Sequence, residues 1–242
     1  MRRTPIAFVV ALLVALPAAA QTADEIIARN IAAKGGLAKL QAVKTIRMTG
    51  KMTVAPGVDA PIVMELKRPN AMRVDFTVQG MVGSQAYDGA KGWQLMPFAG
   101  SKVPQELSAE ETALAAEQAD LDGPLMDYKA KGNTVELLGK ETIEGSVTHK
   151  LKVTLKNGVV RTFYFDAEHF LEIKEESRRT IRGTEMETET IIGDYKEVDG
   201  MMFPHAVDAG VKGSPQRQKI VIDKIEINVP IDDARFKMPD VK

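Results

Sequence analysis

His149, His169 and His205 are the only imidazoles in the chain, and they stand too far apart for HExxH or related zinc-binding spacings. Asp166, Glu168 and His169 do share one short stretch, and their side chains could ligate a metal or move a proton. That stretch lies between two strand-like runs, where turn chemistry accounts for the same residues more economically. No serine occupies a nucleophile-elbow sequence, and no glycine loop is spaced to cradle a phosphate or a dinucleotide. With no cysteine in the chain, thiolate metal sites, disulfides and a cysteine nucleophile are all excluded. The sequence therefore offers no catalytic residue and no metal site. Arg68 stands out for a different reason. Strand periodicity places it on the same face as Ile62, Met64 and Leu66, so the strand aims a guanidinium at apolar surroundings. Such a charge needs acceptors, and the free carbonyls at a helix end are suitable ones. The alternative is that Arg68 snorkels to water at the strand end before Pro69.

The elements that would position these residues are mostly strands. Residues 45–54 alternate cleanly, with Ile46, Met48, Met52 and Val54 on one face and Thr45, Arg47, Thr49, Lys51 and Thr53 on the other. Ile62, Met64 and Leu66 repeat the pattern, as do Met72, Val74, Phe76 and Val78, and a further strand turns at Asp88-Gly89 into Trp93 and Leu95. One apolar and one polar face predicts an antiparallel sheet covered on one side, curling around that side. Asn157-Gly158 marks a hairpin between the strands at 150–156 and 159–166, and four more strands follow up to Val229. Glu185, Glu187 and Glu189 face neighbours such as Lys174, Arg178 and Arg182, which reads as a solvated face of cross-strand ion pairs. Two capped helices interrupt this pattern, and Leu37, Leu40 and Val43 continue the first at helical spacing into a second short piece. Thr22 and Glu25 form a capping box for the first, with Ile27 and Ile31 on its apolar face and Gly35-Gly36 as its end. Ser108 and Glu111 cap the second, which carries Leu114, Leu121, Leu125 and Met126 and is expected to break near Asp122-Gly123-Pro124. An amphipathic insertion between strands is predicted to lie as a lid on the open face of the curled sheet.

Residues 1–20 read as a secretory leader: Arg2-Arg3, an apolar run from Ile6 to Leu16, and Ala18-Ala19-Ala20 as the cleavage site. The expected mature chain, 21–242, is one domain, free in the periplasm, with no lipid-anchoring cysteine. Without Arg2 and Arg3 it carries 30 basic residues against 33 acidic, a net charge of −3, which argues against nucleic acid as a partner. Methionines number 12 while aromatics are only 5% of residues. The apolar face of Met48, Met52, Met64, Leu66, Val74, Phe76, Trp93 and Leu95 is thus soft and adaptable. It would serve as an ordinary core, or as the lining of a cavity for a variable apolar client.

The order Lys67-Arg68-Pro69-Asn70, Asp88-Gly89, Trp93 and Pro97-Phe98 resembles the core of the LolA family of outer-membrane lipoprotein-sorting proteins. The resemblance extends in element order to the closing Phe236-Lys237-Met238-Pro239. It implies a mainly β fold with some α: a strongly curved antiparallel sheet, an incomplete barrel, covered by an N-terminal helix and an inserted helical lid. It further implies a carrier of lipoproteins or lipids, with transient inner- and outer-membrane partners and neither catalysis nor cofactor, in which Arg68 ties the lid over the cavity. A periplasmic sensor of lipid or lipoprotein state on the same half-barrel is the alternative. A secreted enzyme would require convergent titratable residues inside the cavity, and none is visible in the sequence.

Overall fold

The computed structural model describes residues 21–55, 57–181 and 184–240, so the leader and Arg182 lie outside the described residues. Helix α1 spans Ala23–Ala33, with both halves of the Thr22/Glu25 capping box formed. It ends in a turn at Gly35 (φ 119°), where a side-chain Cβ would stand 2.7 Å from the Gly200 carbonyl oxygen. That close approach admits only glycine. A short helix α2, Leu37–Ala42, leads into six strands: β1 (Thr45–Ala55), β2 (Val58–Lys67), β3 (Ala71–Val78), β4 (Met81–Tyr87), β5 (Gly92–Leu95) and β6 (Gln105–Glu106). Helix α3, Ala109–Ala119, follows, and then β7 (Thr134–Ile143), β8 (Ser146–Thr154), β9 (Val160–Asp166), β10 (Glu172–Ile181), β11 (Thr184–Val198), β12 (Met201–Val211) and β13 (Arg217–Ile227).

All 13 strands form one antiparallel sheet in the order β6-β5-β4-β3-β2-β1-β13-β12-β11-β10-β9-β8-β7. The last strand returns beside the first, which leaves β6 and β7 at opposite edges although they are neighbours in the chain. Their connection, residues 107–133, must therefore cross from one edge of the sheet to the other. This topology puts α3 over the concave face. The helix packs on β3, β4 and β5, while Glu117 on its other side pairs with Arg161 of β9 and Arg179 of β10. One helix touching both arms of an unclosed sheet is the geometry of a half-barrel. The expected mainly β fold with covering helices is thus the observed one.

Two apolar clusters fill the concave side. One lies under α2 and α3 and includes Val43, Ile46, Ile62, Leu66, Met72, Ala115, Ala119 and Ile222. The other lies under α1 and joins Ile26 and Ile27 to Leu125, Leu151, Val153, Phe163 and Phe165. Ile26, Leu151, Val153 and Phe165 are fully buried. Helix α1 is further fixed by Lys34, which pairs with the buried Glu172 at 2.7 Å, and by Asn30, which donates to the Phe170 carbonyl at 2.7 Å.

The inserted helix is shorter than the sequence pattern suggests. It stops at Ala119, and residues 121–132 form a series of turns, so Leu125 and Met126 are buried from non-helical backbone. The helix stops where Asp120 turns to an extended conformation (φ −72°, ψ 98°), and Pro124, which has no amide to donate, keeps it from resuming.

Candidate functional site

Arg68 is anchored at the end of β2 by four hydrogen bonds. Its Nε donates to the Val43 carbonyl at 2.7 Å and its Nη2 to the Leu40 carbonyl at 3.3 Å, both at the C-terminal end of α2. Its Nη1 donates to Asp122 Oδ2 at 2.8 Å, and Nη2 reaches the other carboxylate oxygen. Asp122 belongs to the turn that follows α3, so one guanidinium joins the end of β2, α2 and the lid connection. The cation at a helix C-terminus and the two-point carboxylate contact are both favourable arrangements. The hydrogen bond from Arg68 is the main cause that holds the Asp122 carboxyl below its ordinary value. The same contact raises the Arg68 guanidinium. Lys131 braces the turn through Asp120 and through the Gly123 carbonyl at 2.6 Å.

Glu117 makes a second attachment, from the last turn of α3 to the sheet floor. Its carboxylate accepts from Asn157 Nδ2 at 3.0 Å, from Arg161 Nη2, and from Arg179 Nη2 at 3.1 Å. Burial works to raise this carboxyl, but the Asn157 and arginine contacts prevail and hold it below its ordinary value. Glu175 sits 3.3 Å from Arg161 Nη1, and there burial dominates and raises the carboxyl. A cleft of about 860 Å³ runs along one side of α3, bordered by Asn70, Ala113, Ala116, Leu155 and Arg161. A second, of about 700 Å³, runs along the other side past Leu114, Val160 and Arg179. Ala113, Glu117 and Asn157 border both.

The apolar face anticipated from the sequence divides into three parts. Leu66 is buried in the cluster beneath α2 and α3, while Met48, Met52, Val74, Phe76 and Leu121 are half-buried against it. Met64 is also half-buried and lies in register between Met48 and Val74. None of these side chains borders either large cleft, because the cluster under α3 occupies the space above them. Trp93 and Leu95 require a correction. Trp93 pairs with Ala86, which pairs with Arg73, and Leu95 pairs with Ser84, which pairs with Asp75. This register turns Trp93 and Leu95 to the outer face, opposite Val74 and Phe76. Trp93 is buried there by the C-terminal segment, donating its indole N–H to the Phe236 carbonyl at 2.8 Å. Of the lid residues, Leu114 borders the smaller cleft, Leu125 enters the cluster under α1, and Met126 is buried.

The histidines take no part in a shared site. His149 is buried and stacked on Phe170, with its imidazole lowered by burial. His205 is buried. Asp166 Oδ1 accepts from the backbone amides of Glu168 at 3.0 Å and His169 at 2.6 Å, which is turn chemistry. No group of three or more potential ligands that could hold a metal occurs among the described residues. On the outer face Arg178 sits opposite Glu187 and pairs with it, and Lys174 pairs with Glu176 and Glu189.

No family model and no curated protein matches the sequence. Solved structures do match the fold. An outer membrane lipoprotein-sorting protein domain from Vibrio parahaemolyticus superposes with a TM-score of 0.59 at 12% identity, over 88% of this chain and 94% of its own. A LolA superfamily protein from Nitrosomonas europaea gives 0.58 at 14% identity, over 90% and 98%. The chain has the LolA-like fold. A DUF1329 family protein from Desulfovibrio piger shares it too, with a TM-score of 0.63 at 12% identity over 88% and 96%. Within the LolA-like half-barrel of this chain, the charged group of Glu117, Arg161, Glu175 and Arg179 was not expected inside the concave face. Strand parity carried the signal. Once Lys174, Glu176 and Arg178 face outward, Glu175, Ser177 and Arg179 must face inward. No helix among the described residues is long and apolar enough to cross a membrane.

Proposed function

We propose that this protein is a carrier that shelters an acyl chain, of a lipoprotein or a lipid, in the clefts beside α3 and releases it when the lid lifts. The observation that carries this reading is a helix forced across an unclosed sheet, held by Arg68–Asp122 at one end and flanked by clefts of about 860 and 700 Å³. Volumes of that size suit a small amphiphile. In this reading Arg68 gates the lid. The half-buried Met48, Met52, Met64, Val74 and Phe76 become additional lining when α3 moves away, since methionine and aliphatic side chains repack readily around chains of different shape. Each methylene transferred from water contributes about 0.8 kcal/mol, so a long chain gains on the order of 10 kcal/mol before ordering costs.

The charged group inside the cavity raises the question of catalysis, and its pairing is what a binding role would need. Glu117 is engaged by three donors, and no hydrogen bond links the Ser177 hydroxyl to a base among the described residues. A nucleophile without a base in reach is not activated. Periplasmic residence, with handover partners at the inner and outer membranes, follows from the leader at residues 1–20 and the carrier reading together.

Native mass spectrometry of protein purified gently from its own envelope tests the proposal. The expected spectrum contains protein bound to an acylated polypeptide or a lipid; lipid alone would favour lipid transfer or sensing. Protein that is empty as purified, and stays empty when offered an acyl probe, would contradict it.

A further inference from the structure

Three polar side-chain atoms are buried without a hydrogen-bond partner among the described residues: Asn70 Oδ1, Arg161 Nε and Ser177 Oγ. Arg161 and Ser177 are directly opposed in the β9–β10 register and point to the concave side. Arg161 and Asn70 both border the larger cleft. Unpaired buried groups are rare and point to a ligand, a strained site or a moving part.

Beside them, the Glu117 carboxylate rests in a cradle of three floor donors: Asn157 from the β8–β9 turn, Arg161 from β9 and Arg179 from β10. The cradle belongs to the sheet, whereas its occupant belongs to the lid. Arg161 and Arg179 are each less than one-fifth exposed, and guanidinium forks of this kind match carboxylate or phosphate oxygens. Glu117 and Asn157 border both clefts, so a head group seated in the cradle leaves either cleft open to its acyl chain. Glu175 is the other acid at this place, and burial favours its neutral form, so it opposes an incoming anion weakly.

We infer that Asn157, Arg161 and Arg179 form a seat for the anionic head group of an acyl-chain client, and that Glu117 occupies this seat as a stand-in while the lid is closed. The inference rests on the carrier reading and adds the client's chemistry: an amphiphile ending in a carboxylate or phosphate. The incoming anion displaces Glu117, takes up its donors and gains Arg161 Nε and the Ser177 hydroxyl. Loading the cavity then exchanges one anion for another at the floor, while Arg68–Asp122 still holds the turn after α3.

The test is a titration of the full mature protein with a fluorescent polyene fatty acid and, separately, with its methyl ester. A second arm offers a phosphatidic acid of matched chain length as competitor and so distinguishes phosphate from carboxylate heads. The acid is expected to bind at least about tenfold more tightly than the ester. Arg161→Gln brings that ratio to about one, and Glu117→Gln, which removes the competing carboxylate, raises it. Arg179→Gln gives the same reading as Arg161→Gln should the latter fail to fold. Equal binding of acid and ester by the parent protein would overturn the head-group seat while leaving the carrier reading intact. Binding of neither, with phosphatidic acid also unbound, would overturn both.

Discussion

Replacing Arg68 with leucine is expected to raise the open population of the lid by roughly 30- to 160-fold while the sheet stays folded. The substitution removes the bonds to the Val43 and Leu40 carbonyls and leaves the Asp122 carboxylate, about one-quarter exposed, without its guanidinium. Hydrogen bonds to charged groups contribute about 1.5–3 kcal/mol each, and partial exposure reduces their sum, so closure loses on the order of 2–3 kcal/mol. Hydrogen exchange at the amides of residues 109–122 reads this directly: they should exchange faster by that factor, with strands β8 and β9 unchanged. Retention of a bound acyl probe should fall in parallel. Unchanged exchange and retention would make Arg68 a snorkelling side chain with no hold on the lid. The pH dependence has a definite sign. Asp122 has a folded-state pKa below its ordinary value of 3.8, so its contribution is present above that value and is lost only as pH falls through the depressed one. The parent lid therefore stays latched from neutral pH down to about pH 4, whereas Asp122→Asn weakens it throughout that range.

The second large effect is expected far from the cavity. Phe236→Ala should cost about 3–5 kcal/mol of stability, as for other buried aromatic truncations. The Phe236 side chain is only 2% exposed and clusters with Ala71 and Ile231 on the outer face. Its carbonyl receives the Trp93 indole N–H. Arg235 beside it donates to the buried Glu65 at 2.7 Å and to Asp75 at 3.0 Å. The C-terminal segment thus straps the outer face of β2–β5, and losing its anchor exposes Trp93. Because Trp93 is the only tryptophan, urea unfolding followed by its fluorescence reports both quantities: a lower midpoint and a red-shifted native spectrum. A loss below about 1 kcal/mol with an unshifted spectrum would show that the strap contributes nothing.

Much of this architecture was legible in the sequence because strand alternation, the two capping boxes and the Asn157-Gly158 turn are local signals. Thr22 with Glu25, and Ser108 with Glu111, set helix starts that the structure reproduces. What misled was register. Trp93 is apolar and follows a turn, so it reads as part of the inner face, but the Ala86–Trp93 pairing assigns it outward. Nothing local reveals which parity a four-residue strand takes, or that a segment some 140 residues later will cover it. The inner charges were hidden in a different way. Arg161, Glu175 and Arg179 each have an ordinary polar neighbourhood in sequence, and only the crossing of α3 brings Glu117 to them. The helix ends at Ala119, a little before the break expected near Asp122-Gly123-Pro124, and turns, not a helix, carry the half-buried Leu121 and the buried Leu125 and Met126.

The central claim, that the clefts flanking α3 receive an acyl chain, is tested most directly by photoaffinity labelling with a diazirine-bearing fatty acyl probe and peptide mapping of the adducts. Adducts are expected on the cleft walls, at Ala113, Ala116 and Leu155, with added labelling of Met48 and Met52 in the Arg68→Leu variant. Adducts confined to exposed positions such as Val82 and Val221, in both parent and variant, would contradict it.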